Sequence, residues 1–213
     1  MSQKLSIINY GLGNLGSIQN MYKKIGIKAE IAESEKQIAE ADKLILPGVG
    51  SFDEGMCGLK KAGLTEILEE KVIRQRTPIL GVCLGMQLLT KASEEGREKG
   101  LGWIQATAKK FSFPAQCELK IPHMGWNEVE ICRGDPLVKD LTNGNEKARF
   151  YFVHSYFVEC EDDMDILLKT IHGKEFGAAF RHQQIMGVQF HPEKSHRYGM
   201  QILKNFYELQ LLS

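Results

Sequence analysis

The stretch "PILGVCLGMQLL", Pro78 to Leu89, decides how the chain is read. Pro78–Val82 is a short apolar run of the kind that forms a buried strand, and Leu84–Leu89 has the look of a helix opening. Between them Cys83 is flanked by small residues as Gly81-Val82-Cys83-Leu84-Gly85. This is the nucleophile-elbow pattern G-x-S-x-G with sulfur in place of oxygen. Free cysteine is often an inert core residue, so the elbow by itself leaves two readings open. One is a packed thiol; the other is a nucleophile on a strained strand-to-helix turn, where a helix N-terminus favours the thiolate.

Working outward, the first half alternates between short apolar runs and helical periods. "KLSIIN", "IKAEIA" and "KLILP" read as strands; "NLGSIQNMYKKIG", "SEKQIAEA" and "LTEILEEKVIRQR" read as helices, with a glycine-rich loop after "KLILP". Such alternation implies right-handed crossovers and a parallel sheet. After Leu101 the texture changes to strand-like runs: "ATAKKFSF", "NEVEIC", "ARFYFVHSYFVEC", "DILLKTI", "FGAAFR" and "IMGVQF". A helix, "YGMQILKNFYELQ", closes the chain. The expected fold is therefore α/β, an open and mostly parallel sheet flanked by helices, with antiparallel strands added in the second half. No repeat or linker divides the sequence, so residues 1–213 are read as one domain.

Composition narrows the partner. Lys+Arg and Asp+Glu both number 27, which leaves no basic excess for nucleic acid or anionic membrane. No apolar run is long enough to span a bilayer, and "MSQKLSIINY" lacks the long apolar segment of a leader. The five cysteines are odd in number, scattered and without a C-x-x-C pair. They suggest neither a disulfide framework nor a zinc site, no metal or cofactor is called for, and a cytoplasmic home is expected.

A second stretch, "GVQFHPEKS", answers the question posed by Cys83. His191 and Glu193 stand two apart behind an apolar run, and residues so spaced on an extended segment share a face. They supply a base and the carboxylate that orients it, the remaining parts of a triad. None of the other five histidines is followed two residues later by a carboxylate. Oxyanion donors are expected from the amide of Leu84 and from "LPGVGSF", where Val49 and Gly50 follow a strand. One motif competes: Gly11-x-Gly13-x-x-Gly16 in "YGLGNLG" formally matches a dinucleotide fingerprint, with Glu30 and Glu33 further on. It is read as accidental, because the same sheet already carries the elbow.

Taken together, "PGVGSF", "GVCLGMQLL" and "GVQFHPEKS" resemble class I, triad-type glutamine amidotransferases. Within them, "YGLGNLGS", "SEEG", "KIPHMGWN" and "YFVHSY" look like the glutaminase subunits of imidazole glycerol phosphate synthases. The resemblance runs over essentially the whole chain and implies a flavodoxin-like sheet. It also implies that Cys83 attacks the side-chain amide of glutamine, that His191 shuttles the proton, and that Glu193 orients His191. Glutamine would be held by Gln87, Glu95, Ser155 and Tyr156. Ammonia would pass to a (β/α)₈-barrel cyclase partner in a heterodimer, yielding imidazole glycerol phosphate and the purine precursor AICAR in histidine biosynthesis. Pro122, His123, Met124 and Trp126 of "PHMGWN" would face that partner, Trp126 as an aromatic anchor. Three other readings stay open: a glutaminase feeding a different synthase such as one modifying surface sugars, a stand-alone cysteine hydrolase, and a non-catalytic binding protein with an unreactive Cys83.

Overall fold

The computed structural model describes residues 3–114, 116–142 and 146–210. Its first half follows the alternation of the sequence: β1 (Leu5–Ile8), α1 (Leu15–Lys24), β2 (Ala29–Ala32), α2 (Glu35–Ala39), β3 (Lys43–Leu46), α3 (Phe52–Lys61), α4 (Thr65–Glu69), β4 (Ile79–Val82) and α5 (Leu84–Leu88). The second half adds β5 (Ala92–Ser93), β6 (Ala106–Lys110), β7 (His123–Glu128), β8 (Glu130–Ile131), β9 (Arg149–His154), β10 (Tyr156–Cys160), β11 (Ile166–His172), β12 (Lys174–His182) and β13 (Ile185–Val188), closing with α6 (His196–Glu208).

Eight strands form the main sheet in the order β2-β1-β3-β4-β13-β12-β11-β8. The first five are parallel, and β12, β11 and β8 extend the sheet antiparallel beyond β13. The inner parallel strands β1, β3, β4 and β13 are buried along their whole length because both faces are covered. Alternate residues go to opposite sides: Leu5, Ile7, Ile45, Leu80 and Val82 pack with α1 and α6, whereas Ile8, Leu44, Leu46 and Ile79 pack with α2, α3, α4 and α5. Two smaller sheets, β10-β6-β5 and β7-β9, stand beside the main one.

Two readings of the sequence are corrected here. Helix α3 lies inside the segment expected to be a glycine-rich loop. Its N-terminus is fixed by a capping box between Ser51 and Glu54, and its glycines serve close packing. A Cβ on Gly55 would come within 2.9 Å of the Leu88 side chain, and one on Gly58 within 2.9 Å of the Tyr10 carbonyl. The second correction concerns "GVQFHPEKS". Strand β13 ends at Val188, and Pro192–Lys194 forms a single 3₁₀ turn, so His191 and Glu193 meet across a turn and not along one face of a strand. Proline at the start of the turn, with φ already fixed, favours that geometry over extension.

The C-terminal helix is tied to the first half by a buried cation. Lys43 Nζ, at the start of β3, donates to the carbonyls of Phe206, Tyr207 and Leu209 at the end of α6. Burial pulls its ammonium down to about 8.

Candidate active site

Strands β3, β4 and β13 are neighbours and parallel, so their carboxyl ends open on the same edge of the sheet. That is the edge where open α/β sheets bind ligands. From β3 runs Pro47-Gly48-Val49-Gly50, from β4 comes Cys83, and from β13 comes His191.

The turn at Cys83 is tight. Its φ of 55° and ψ of −110° lie where non-glycine residues are strained, at a cost of about 1–3 kcal/mol. Glycines permit that turn to pack. A Cβ on Gly85 would fall 1.8 Å from the Leu46 carbonyl oxygen, and one on Gly81 would fall 2.6 Å from the Gly85 oxygen. The backbone N–H of Cys83 donates to Val188 at 2.8 Å, which fastens the elbow to β13. Leu84 begins α5, so its N–H is among the first-turn donors without an intrahelical acceptor.

His191 is almost fully buried, and its Nδ1 lies 2.8 Å from Glu193 Oε1. A carboxylate only accepts, so Nδ1 carries a proton and Nε2 is the nitrogen left to take one up or release it. Nε2 closes no hydrogen bond of its own. Burial disfavours the imidazolium, but the Cys83 sulfur and the Glu193 carboxylate outweigh it and raise the His191 pKa well above the usual histidine value. Ser195 supports the histidine from behind, donating to the His191 carbonyl at 2.6 Å while accepting from Tyr151 N–H.

A cavity of about 310 Å³ opens on Cys83 and His191. It is lined by all the residues expected to hold substrate, Gln87, Glu95, Ser155 and Tyr156, and by Val49, Gly50, Leu84 and Pro122. Glu95 is anchored through Oε2, which accepts from the Phe52 N–H at the start of α3 at 2.8 Å. Both Nε2 protons of Gln87 are committed, to the Tyr156 carbonyl and to Gln189. What Gln87 can offer a ligand is therefore its oxygen, an acceptor.

A sequence model of class-I glutamine amidotransferases matches residues 6–209. The chain belongs to the class-I glutamine amidotransferase family. Within the family it falls with the HisH subunits of imidazole glycerol phosphate synthase. It is 54% identical to subunit HisH 2 of Methanococcus maripaludis, over 95% of this chain and 98% of that protein. To the HisH 2 subunit of Pseudomonas aeruginosa it is 49% identical, again over 95% of this chain and 98% of that one. Its fold resembles that of PurLQS from Thermotoga maritima, with a TM-score of 0.70 at 14% identity over 97% of this chain and 98% of the other.

Other expected residues of this amidotransferase fall as follows. Along β7 the side chains alternate. Met124 and Trp126 are exposed, at 63% and 44%, and Trp126 stacks on His196 with ring centroids 5.4 Å apart. His123 points the other way and is buried, so its side chain is not available to an outer face. The Gly11-Gly13-Gly16 loop packs against the β3 end: a Cβ on Gly13 would meet Pro47 at 2.9 Å, and its φ of 110° also requires glycine. Glu33 at the end of β2 accepts from Asn9, and Glu30 is paired with Lys28. Sequence reasoning passed over Tyr10, whose buried hydroxyl donates to the Pro47 carbonyl at 2.7 Å. It also passed over Gln189, which touches Cys83 and sits two residues before His191 within "GVQFHPE" itself.

Among the described residues no helix is long and apolar enough to cross a membrane.

Proposed function

We propose that this chain hydrolyses glutamine to glutamate and ammonia through Cys83, His191 and Glu193, as the glutaminase subunit of an imidazole glycerol phosphate synthase. The observation that carries the reading is the convergence of an elbow cysteine, a carboxylate-held imidazole and a glycine-rich loop on one edge of the sheet, in a chain of this family. Cys83 Sγ adds to the side-chain carbonyl carbon of glutamine. The oxyanion is received by the Leu84 amide and by amides of Val49 and Gly50. His191, having taken the thiol proton, delivers it to the departing nitrogen, and ammonia leaves a glutamyl thioester. Water, deprotonated by His191, then cleaves the thioester to glutamate and restores the thiol. The free oxygen of Glu95 and the amide oxygen of Gln87 suit the substrate's α-ammonium, while Ser155 and Tyr156 border its carboxylate end.

Ammonia set free in water becomes ammonium, which is no nucleophile. A protected route into a second protein is therefore required. The exposed Met124 and Trp126, beside a cavity mouth that includes Val49 and Pro122, support a docking face for a (β/α)₈-barrel cyclase in a heterodimer. That cyclase would form imidazole glycerol phosphate and AICAR in histidine biosynthesis, in the cytoplasm, where the chain's five free thiols stay reduced. A second reading has one observation behind it. The relatives at 54% and 49% identity both bear the number 2 in their names, which suits a paralogue feeding another synthase. Affinity capture of the full chain, with identification of the bound synthase and assay of glutamate release by wild type and Cys83→Ala, tests both. A barrel cyclase supports the histidine pathway, a different synthase the paralogue, and hydrolysis retained by Cys83→Ala defeats the glutaminase mechanism itself.

A further inference from the structure

Gln189 is completely buried, and its Nε2 lies 3.8 Å from Cys83 Sγ. Which end of its amide faces the sulfur is settled by its neighbours. Gln87 Nε2 is 3.0 Å from the Tyr156 carbonyl, which can only accept, so the same NH₂ must donate to Gln189 Oε1 at 3.1 Å. Gln189 is thereby left with its N–H toward Cys83. The Tyr156 carbonyl also receives His154 Nδ1 at 2.8 Å. His154 Nε2 is then an acceptor and takes the Nδ1 proton of His123 at 3.0 Å. His123 Nε2 in turn accepts from Asn127 at 3.2 Å. Gln87 and Gln189 therefore each have one permitted orientation, fixed at the Tyr156 carbonyl, on which the His154–His123–Asn127 run separately ends.

The sulfur has a second neighbour, the Val153 carbonyl, 3.9 Å away, to which the thiol can donate. Once the proton has gone to His191 that carbonyl has nothing to accept, while the Gln189 N–H faces a full charge. Hydrogen bonds to ions are roughly twice as strong as those between neutral groups, so this contact strengthens as the nucleophile forms.

We propose that Gln189 is a further catalytic residue, holding the ionised Cys83 sulfur through its Nε2–H. In the same proposal Gln87 and the Tyr156 carbonyl are positioning groups that lock the amide's orientation. The inference rests on Cys83 being the nucleophile, and the test separates the two. The full-length chain is treated with iodoacetamide across a pH series, in which the sulfur displaces iodide, and the Cys83-containing peptide is quantified by mass spectrometry. Gln189→Met, checked for folding by circular dichroism, should react roughly tenfold more slowly at neutral pH, with its profile moved to higher pH. Gln189→Glu, which replaces the donor by an acceptor, should move it further. If neither Gln189 variant folds, Gln87→Leu carries the test, because it leaves Gln189 in place but free to turn, and it too should shift the profile upward. A folded Gln189→Met or Gln87→Leu with the wild-type profile overturns the proposal. Failure of a glutamine diazoketone to label wild-type Cys83 would instead remove the nucleophile assignment beneath it.

Discussion

Replacing Cys83 by alanine should abolish glutamate release, a loss of at least roughly 10⁴-fold in kcat, while circular dichroism and partner capture stay as in wild type. His191→Asn should be nearly as damaging, since it removes the base. Glu193→Gln should cost less than either, as loss of the orienting acid does in comparable triads, although its NH₂ can also hold the ring in the wrong tautomer. Steady-state glutaminase assays rank the three, and equal losses for Glu193→Gln and Cys83→Ala would deny Glu193 a merely orienting role. At the same scale, Tyr10→Phe leaves the Pro47 carbonyl buried without its donor, which should lower stability by about 1–3 kcal/mol in urea denaturation. The proposed triad could be read in the sequence because elbow and His-Pro-Glu are local patterns. Gln189 was not, although it sits inside the same stretch. Its proposed role rests on a contact to Cys83 more than a hundred residues away, which no local pattern records.

Among elements, the parallel half could be read from its two periods, and the strand-rich second half from its apolar runs. What escaped was α3, where glycine stands for close approach and not for a loop, and the turn that brings Glu193 to His191. The pairing of β7 with β9 carries a pH consequence. His123 and His154 face each other across this pair, and burial lowers them to about 4 and about 3. Between those values and about 6.5 the unfolded chain binds protons that the folded one refuses, so stability is lost as pH falls through that window and the contribution levels off below it. Urea midpoints should decline from pH 6.5 toward pH 4, more steeply in wild type than in His154→Leu, which should be less stable throughout. Parallel slopes would mean that the buried pair does not govern the acid limb. The Gly11-Gly13-Gly16 loop belongs to this scale too. Since its glycines answer to Pro47, calorimetric titration with nicotinamide and flavin dinucleotides should show no binding, and micromolar affinity for either would reverse that reading.

For the whole molecule, the prediction concerns control. Val49 stands between two glycines, so its peptide can turn over at little steric cost, and Pro47 behind it is pinned by Tyr10. The isolated chain should be a poor glutaminase, roughly 10²–10³ below its complex if one oxyanion donor is withheld at rest. Glutamate release measured for the chain alone, with its synthase partner, and with partner plus acceptor ligand should climb in that order. Equal rates would make this a free-standing hydrolase. The strand that carries the nucleophile has a further consequence, one of timing. On one side β4 pairs with β3, made before it, but on the other it waits for β13, which leaves the ribosome more than a hundred residues later. Until then a nascent chain has its thiol on an open sheet edge with neither imidazole nor carboxylate beside it. Under the proposed mechanism, reactive chemistry therefore waits until the chain has been made through Glu193, and a product interrupted before β13 would be both inert and sticky, a ready target for proteolysis.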